Sequence, residues 1–195
     1  MQLILSRHGA TEYNLQRKFY GTTDVDLAPL GVRQAQELAQ KVAPFEPTKI
    51  INTPLQRTAQ TIAPYHQTHL MVPIITIPEW MEKGFGAWEG LDADQIQARY
   101  PQEWQRWLAA PLTYTPPESE SFADFQQRVA AGWQMVKQVS QPNDRLWIVT
   151  HLGTLRILAQ LLGEQRAFYD IDFPAGTLTI LTLDAQAQIV TQRVI

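Results

Sequence analysis

The sequence contains no cysteine among its 195 residues. This absence excludes disulfide bonds, thiol nucleophiles and cysteine-ligated zinc or iron sites. Long hydrophobic runs are also missing. The apolar stretch at residues 1–5 is interrupted by Arg7 and His8, so it is too short for a signal peptide or a membrane span. We therefore expect a cytoplasmic protein with no membrane partner.

An excess of positive charge is lacking as well. The chain has 16 lysines and arginines against 19 aspartates and glutamates, which gives a formal net charge of -3. This balance argues against general nucleic-acid binding, so an anion site must come from a local arrangement of cations. The length and the 45% hydrophobic content are typical of one globular domain, which we expect to span residues 1–195.

Strand-like and helix-like segments alternate along most of the chain. Short apolar stretches predict strands at 1–5, 48–52, 72–78 and 145–151. Helical spacing of apolar residues follows at 31–42, 53–66, 122–139 and 152–163. Residues 177–183 and 188–195 close the chain as two strands, which we interpret as a hairpin. This order predicts an α/β fold in three α/β/α layers, with a mixed, mostly parallel sheet.

Residues 84–121 depart from that alternation. They contain a glycine-rich turn, a helical segment interrupted at Pro101, and a loop with three prolines. We interpret this segment as a helical lid inserted over one end of the sheet. Tyr100, Trp104 and Trp107 lie within it, and two roles stay open for them: packing in a core, or gripping an apolar part of a substrate.

Unusual side chains follow three of the predicted strands. Arg7, His8 and Gly9 follow the first strand, Arg57 follows the second, and His151 ends the strand at 145–151. The carboxyl ends of parallel strands meet at one edge of a sheet, where binding sites collect. Arginine matches phosphate oxygens with a planar fork of donors, and a helix that begins there adds backbone N–H groups. The pattern predicts a phosphoryl site.

Two histidines in one phosphoryl site suggest more than binding. A neutral His8 can attack phosphorus through one ring nitrogen and form a phosphohistidine. We expect a protonated His151 to stabilise charge on the phosphoryl oxygens. Glu82, beside glycines and aromatic residues, is the preferred proton donor for the leaving oxygen, and Glu89 is a less favoured candidate.

Four segments of the chain together resemble one known family. The segments LSRHGATEYN, NTPLQRTAQT, EKGFGAWEG and VTHLGTLR, in this order, are similar to the motifs of the histidine phosphatase superfamily, also called phosphoglycerate mutase-like. The resemblance implies that the family fold applies and that no metal or other cofactor is used. It implies that His8 is the nucleophile, with Glu82 as the proton donor. The residues implied to bind the phosphoryl group or substrate are Arg7, Arg57, His151, Asn14, Gly21, Thr22 and Leu152.

The resemblance leaves three functions to compare. The first is a metal-independent phosphatase that hydrolyses a small phosphomonoester, with a general likeness to alpha-ribazole phosphate phosphatases and broad-specificity relatives. The second is a cofactor-dependent phosphoglycerate mutase, whose relatives are longer and carry Glu-Arg-x-Tyr-Gly where this chain has residues 82–86 as EKGFG. The third is a non-catalytic protein that binds a phospholigand, which the presence of both His8 and Glu82 disfavours. We favour the phosphatase, and the sequence indicates no oligomeric state.

Overall fold

A computed structural model describes residues 1–195 and contains one six-stranded mixed sheet. Its strands are β1 Gln2–Arg7, β2 Lys49–Asn52, β3 Ile74–Thr76, β4 Arg145–Thr150, β5 Thr179–Leu183 and β6 Ile189–Val194. The order across the sheet is β3-β2-β4-β1-β5-β6. The first four strands in that order run parallel, whereas β5 is antiparallel to β1 and β6 is antiparallel to β5. The predicted mixed sheet and its closing hairpin are confirmed.

Seven α-helices accompany the sheet. They are α1 Glu12–Leu15, α2 Pro29–Val42, α3 Gln56–His66, α4 Ala93–Arg99, α5 Pro101–Ala109, α6 Phe122–Val139 and α7 Leu152–Leu161. The predicted break at Pro101 separates α4 from α5, because proline disfavours a helical conformation in the residue before it and Tyr100 adopts φ -133° and ψ 54°. None of these helices combines the length and apolar character that crossing a membrane requires.

The helices pack on both faces of the sheet, and the strands bury side chains on both. Along β1, Leu3 and Leu5 belong to the core under α6 and α7, whereas Ile4 faces the core under α2 and α3. Along β4, Ile148 and Trp147 divide between the same two cores. A strand that is apolar on both faces is typical of a parallel sheet covered by helices. The predicted three-layer α/β/α architecture is confirmed.

The predicted lid segment forms a small aromatic cluster of its own. Trp88 and Trp104 are buried in it, and Trp104 stacks on Trp107 with ring centroids 5.1 Å apart. Phe19, from the loop after α1, contacts the rings of both Trp88 and Trp107 edge-on. Residues 84–121 are therefore anchored to the segment that follows β1 and α1. Motion of this segment as a lid stays a prediction.

The loop after β1 lies in backbone contact with the start of α2. A Cβ placed on Gly31 would lie 2.1 Å from the carbonyl oxygen of Ala10, and one placed on Gly9 would lie 2.5 Å from the carbonyl oxygen of Gly31. No real side chain fits at either distance. Two glycines therefore allow the backbone that leaves β1 to press directly against a helix, which fixes its course after His8.

We predict that Gly31→Ala destabilises the protein by about 2 kcal/mol, because the new methyl group overlaps backbone atoms that have no room to move. Helix propensity alone predicts the opposite sign, since alanine is favoured over glycine in a helix by about 1 kcal/mol. Urea unfolding measures the difference. Gly84→Ala is the matched control, since its Cβ meets nothing closer than Thr22 Cγ2 at 3.4 Å, and should change stability by less than about 1 kcal/mol. A stabilised Gly31→Ala variant would contradict the close approach.

Candidate active site

The carboxyl ends of β1 and β4 bring the two histidines together. β1 ends at Arg7 and β4 ends at Thr150, and these residues are partners in the parallel register. His8 and His151 follow directly, and the amide of His8 donates to the carbonyl of Thr150 at 2.9 Å. The two ring centroids lie 5.1 Å apart, with the ring planes inclined by 60°. The sequence predicts this convergence at one edge of the sheet, and the structure has it.

His8 is a buried, neutral imidazole. Its Nδ1 lies 2.8 Å from the carbonyl oxygen of Gly9, so Nδ1 carries the proton and donates it, and Nε2 keeps a free lone pair. Burial, followed by the charges of Arg7 and Arg57, lowers the pKa of His8 well below its ordinary 6.5, while the bond to Gly9 has the opposite, smaller effect. A free lone pair on a neutral ring is the form that a nucleophilic histidine requires.

His151 is fully buried at the residue before α7. Its Nε2 lies 3.1 Å from the hydroxyl of Thr53, whereas its Nδ1 is buried without a hydrogen-bond partner. Burial, followed by the charge of Arg57 and the neighbouring His8, lowers the pKa of His151 well below 6.5. A ring removed from water beside arginines resists a further positive charge, so His151 is neutral in the ligand-free protein. A protonated His151 beside a bound phosphoryl group stays a prediction.

Arg57 extends from the first turn of α3 and is completely buried. Its Nη1 donates to the carbonyl of Thr23 at 2.9 Å and its Nη2 to the carbonyl of Gly21 at 2.7 Å. The guanidinium carbon lies 4.9 Å from the centre of the Tyr20 ring. Burial lowers the pKa of Arg57, and Tyr20 and Glu82 oppose that effect. The side chain is held rigidly, and its Nε has no partner.

Three buried polar groups at this edge of the sheet lack hydrogen-bond partners. They are Nε of Arg7, Nε of Arg57 and Nδ1 of His151. The side chain of Arg7 makes no hydrogen bond to the protein, so all of its guanidinium N–H groups are available. Buried polar atoms without partners are rare in folded proteins, and each costs free energy. The two guanidinium N–H groups among them, beside a free imidazole nitrogen, indicate a site shaped for a ligand with several acceptor oxygens.

Glu82 reaches the same place from the segment after β3. Its Oε1 accepts a hydrogen bond from the amide of Lys83 at 2.9 Å, and its Oε2 accepts one from the amide of Gly153 at 2.9 Å. Gly153 is the second residue of α7, so the carboxylate lies at the N-terminus of the helix that follows His151. A Cβ on Gly153 would lie 2.4 Å from Oε1, so glycine is required there for this placement.

A cavity of about 330 Å³ lies beside these groups, and Arg7, Glu82 and Trp107 are among the residues that line it. His8, Arg57 and His151 do not line it. Its charged lining comprises one carboxylate, Glu82, and five cations: Arg7, Arg17, Lys18, Lys83 and Arg156. Its aromatic lining comprises Phe19, Tyr20, Phe85, Trp107, Phe122, Phe125, Phe168 and Tyr169. Trp107 thus reaches the cavity, whereas Trp104 is buried in the aromatic cluster. The cavity suits an anionic molecule with a flat or apolar part.

Comparison with known proteins identifies the family. The model of the histidine phosphatase superfamily (branch 1) matches residues 3–194. The chain belongs to the histidine phosphatase superfamily. It is 31% identical over 156 residues to the uncharacterized phosphatase PhoE of Bacillus subtilis (strain 168), covering 80% of this chain and 74% of that protein. It spans about half, 48%, of the mycobacterial relatives that it matches.

Two further matches show the range of this superfamily. A 2,3-bisphosphoglycerate-dependent phosphoglycerate mutase of Maricaulis maris (strain MCS10) is 28% identical over 215 aligned positions, covering 94% of this chain and 88% of the mutase. The crystal structure of the alpha-ribazole phosphatase from Shigella flexneri superposes with a TM-score of 0.90 at 25% identity, covering 100% of this chain and 96% of that one. The predicted phosphoglycerate mutase-like fold is thereby confirmed.

The other predicted binding residues of this histidine phosphatase divide into two groups. Asn14 and Leu152 line the cavity. The oxygen of Asn14 already accepts from Thr11 and Tyr20, which leaves its amide NH₂ for a ligand. Gly21, whose carbonyl accepts from Arg57, does not line the cavity.

The structure differs from the expectation for Gly21 and Thr22, because their amides already have a partner. Both donate to Oε1 of Glu89, at 2.8 and 3.0 Å, and the amide of Thr23 donates to Oε2 at 2.8 Å. Burial alone would raise the pKa of Glu89, but the hydrogen bonds from Thr23, Phe85 and Thr22 outweigh it and lower the pKa. Glu89 is therefore an ionised anchor for this loop, which removes it as the alternative proton donor.

Sequence reasoning missed Arg128 and Arg156 in this histidine phosphatase. Arg156 lines the cavity and donates to the carbonyl of Ile171 at 2.7 Å, and it lies one helical turn beyond the glycine that contacts Glu82. Arg128 lies on α6 and binds the backbone carbonyl of Glu82 and two carbonyls before it, those of Glu79 and Met81. Arg156 is the last residue of the VTHLGTLR segment, which resembles a family motif, so the sequence did contain a signal for it. Arg128 lies in a polar stretch of α6 that carries no such signal.

The lowered pKa values of the two histidines predict how stability depends on pH. Below pH 6.5 the unfolded chain binds a proton on each histidine that the folded, ligand-free protein excludes. Stability therefore falls as the pH is lowered, by about 1 kcal/mol per pH unit for each histidine. Replacing His151 with Gln should reduce the slope of unfolding free energy against pH by that amount between pH 6 and 5.

Urea unfolding of the wild type and the variant at several pH values measures this slope. The carboxylates titrate in both proteins, so the difference between the two slopes isolates the histidine. His8→Gln is the matched variant and should reduce the slope similarly. Equal slopes in all three proteins would contradict neutral, buried imidazoles.

Proposed function

We propose that this protein is a metal-independent phosphatase that hydrolyses a small phosphomonoester through a phosphohistidine at His8. The observation that carries the proposal is the free Nε2 lone pair of His8 beside three buried, unpartnered polar groups on Arg7, Arg57 and His151. A phosphoryl dianion supplies acceptor oxygens for the two guanidinium N–H groups, and for Nδ1 of His151 once that ring is protonated. The presence of phosphatases among the relatives supports the hydrolytic reaction.

In the first step, Nε2 of His8 attacks phosphorus, and the bond from phosphorus to the ester oxygen breaks. Glu82, in its acid form, gives its proton to the departing oxygen, so the product leaves as an alcohol. Arg7 and Arg57 hold the non-bridging oxygens. A bound dianion also favours a proton on His151, which then donates to the same group. His8 carries the phosphoryl group at the end of this step.

In the second step, Glu82 acts as a base. Its carboxylate takes a proton from water while the water oxygen attacks phosphorus, and the phosphorus–nitrogen bond breaks. Inorganic phosphate leaves, His8 returns to a neutral imidazole, and Glu82 regains the proton that it gave away. The carboxylate needs no movement between the two steps, because the alcohol and the water occupy the same side of the phosphoryl group in turn.

The substrate that we propose is a phosphomonoester with an aromatic or other flat apolar part. Eight aromatic side chains line the cavity, among them Phe85 and Trp107. Alpha-ribazole 5'-phosphate, which carries an aromatic base, fits this description and is the first compound to test. Its support is the likeness to the alpha-ribazole phosphatase structure. The same lining also accommodates a broader range of phosphomonoesters.

A panel of phosphomonoesters tests this function. It includes alpha-ribazole 5'-phosphate, 4-nitrophenyl phosphate and 3-phosphoglycerate, each with and without a chelator, and 3-phosphoglycerate also with 2,3-bisphosphoglycerate. We expect release of inorganic phosphate that the chelator does not change. Isomerisation without net phosphate release would identify a mutase, and strict dependence on added metal would contradict the mechanism.

We predict that His8→Ala abolishes turnover, by at least about 10³-fold, because the nucleophile is lost, while leaving the fold intact. Acid quenching of the wild type during turnover of a ³²P-labelled substrate should trap an acid-labile phosphoprotein that the variant does not form. Circular dichroism and thermal unfolding provide the control for folding. Substantial turnover by the variant would show that another residue attacks phosphorus.

For Glu82→Gln we predict a loss that depends on the leaving group. Turnover of an alkyl phosphate should fall by about 10²- to 10⁴-fold, because an alkoxide needs a proton as it departs. Turnover of 4-nitrophenyl phosphate should fall much less in a single-turnover burst, because 4-nitrophenolate leaves without one. Equal losses on both substrates would count against the acid role of Glu82.

A further inference from the structure

Glu82 belongs to no helix or strand. It follows a single 3₁₀ turn at Pro78–Trp80, and the next regular element begins only at Gly86. A side chain on such a segment has no regular backbone to fix its direction. Acid catalysis nevertheless requires the carboxyl group to be held within a fraction of an ångström of the leaving oxygen. Contacts with neighbouring elements must therefore hold the segment in place.

Arg128 on α6 supplies most of those contacts. Its Nη1 donates to the carbonyls of Glu79 at 2.7 Å and Met81 at 2.6 Å, and its Nη2 donates to the carbonyl of Glu82 itself at 2.9 Å. Three of the four carbonyls from residue 79 to residue 82 are thus bound by one guanidinium group. Only arginine presents enough N–H groups in one rigid plane to do this.

Glu120 orients that guanidinium group from the other side. The Nε of Arg128 donates to Oε1 at 2.5 Å, and Nη2 donates to Oε2 at 2.8 Å. All five N–H groups of Arg128 therefore have protein acceptors, so none is left for a ligand. This distinguishes Arg128 from Arg7, whose side chain makes no hydrogen bond to the protein.

The remaining carbonyl of the segment, that of Trp80, accepts from the hydroxyls of Thr150 at 2.7 Å and Thr154 at 3.1 Å. At the other end, the amide of Gly153 binds the Glu82 carboxylate. The backbone of the segment is thus tied to α6, β4 and α7 together. Two of these elements, β4 and α7, flank His151, so the position of the carboxylate is set relative to the proposed phosphoryl site.

We propose that Arg128, oriented by Glu120, is a positioning residue that sets the Glu82 carboxyl group for proton transfer to and from the leaving group. The inference rests on the proposed function, in which Glu82 is the acid. Arg128 touches neither substrate nor phosphorus. Its effect on turnover must therefore pass through Glu82, and that distinguishes it from a residue that binds substrate or merely stabilises the fold.

Arg128→Lys tests the proposal, since lysine keeps the positive charge but cannot bind three carbonyls and a carboxylate in one plane. We expect kcat for an alkyl phosphate to fall by about 10- to 100-fold, because a displacement of about 1 Å has an effect of that size. Single-turnover rates with 4-nitrophenyl phosphate should fall by less than about 3-fold, and KM should change little. Equal losses on both substrates in a folded variant would overturn the proposal.

Arg145→Lys is the matched control. Arg145 also uses its guanidinium group to bind two backbone carbonyls, those of Phe45 and Glu46, each at 2.8 Å from Nε. It begins β4, at the opposite edge of the sheet from His151. Its replacement should leave the ratio of the alkyl and aryl rates unchanged, whatever its effect on thermal stability. A leaving-group effect of similar size in this control would overturn the proposal.

A second variant keeps the test valid where Arg128→Lys fails to fold. Glu120→Gln retains an acceptor for Arg128 but removes the charge that holds it. We expect the same dependence on the leaving group with a smaller loss, about 3- to 10-fold on the alkyl phosphate. A folded Glu120→Gln variant with an unchanged alkyl-to-aryl ratio would overturn the role of the Arg128–Glu120 pair.

The double variant Glu82→Gln/Arg128→Lys distinguishes failure of this inference from failure of the proposed function. If Arg128 acts through Glu82, the double variant should be no slower on the alkyl phosphate than Glu82→Gln alone. Independent, multiplying losses would overturn the positioning role. If Glu82→Gln alone shows no dependence on the leaving group, the acid assignment in the proposed function fails, and the inference falls with it.

Discussion

The parallel pairing of β1 with β4 is the constraint on which the site depends. It places Arg7 opposite Thr150 and puts His8 and His151 next to each other as the two strands end. An antiparallel pair would carry the same residues to opposite edges of the sheet. The glycine contact between Gly9 and the start of α2 then directs the chain away immediately after the histidine. The proximity of the two histidines thus follows from the sheet topology.

Concentrated positive charge in a chain with a net charge of -3 has an energetic cost in the ligand-free protein. Five cations and one carboxylate line the cavity, and the guanidinium of Arg57 is completely buried. The protein limits this cost by keeping both histidines neutral and by giving Arg57 two backbone carbonyls. It does not remove the cost, since three buried polar groups stay unpartnered. In the proposed function, a bound phosphoryl dianion supplies acceptors for these groups and so offsets part of that cost.

Much of this site was predictable from the sequence, because it lies at the ends of well-patterned elements. The apolar runs before Arg7 and His151 define strands, and strand ends in a parallel sheet converge, so these residues could be assigned together. The sequence did not show which polar groups already have hydrogen-bond partners within the protein. Nothing in the pattern around Glu89 shows that its carboxylate binds three consecutive amides, and the family resemblance implies instead that Gly21 and Thr22 bind the ligand. The protonation of His151 likewise depends on complete burial, which no local pattern measures.

Arginine serves two different purposes in this structure, and the number of donors already engaged tells them apart. The guanidinium of Arg7 has no hydrogen bond to the protein, whereas every N–H of the Arg128 guanidinium has an acceptor. In the sequence both residues are simply arginines, and nothing around them shows which of their N–H groups have acceptors. A saturated guanidinium can only support its neighbours, whereas an open one needs a partner from outside. In the proposed function, this contrast assigns recognition of the phosphoryl group to the strand ends and control of proton transfer to the contacts from α6.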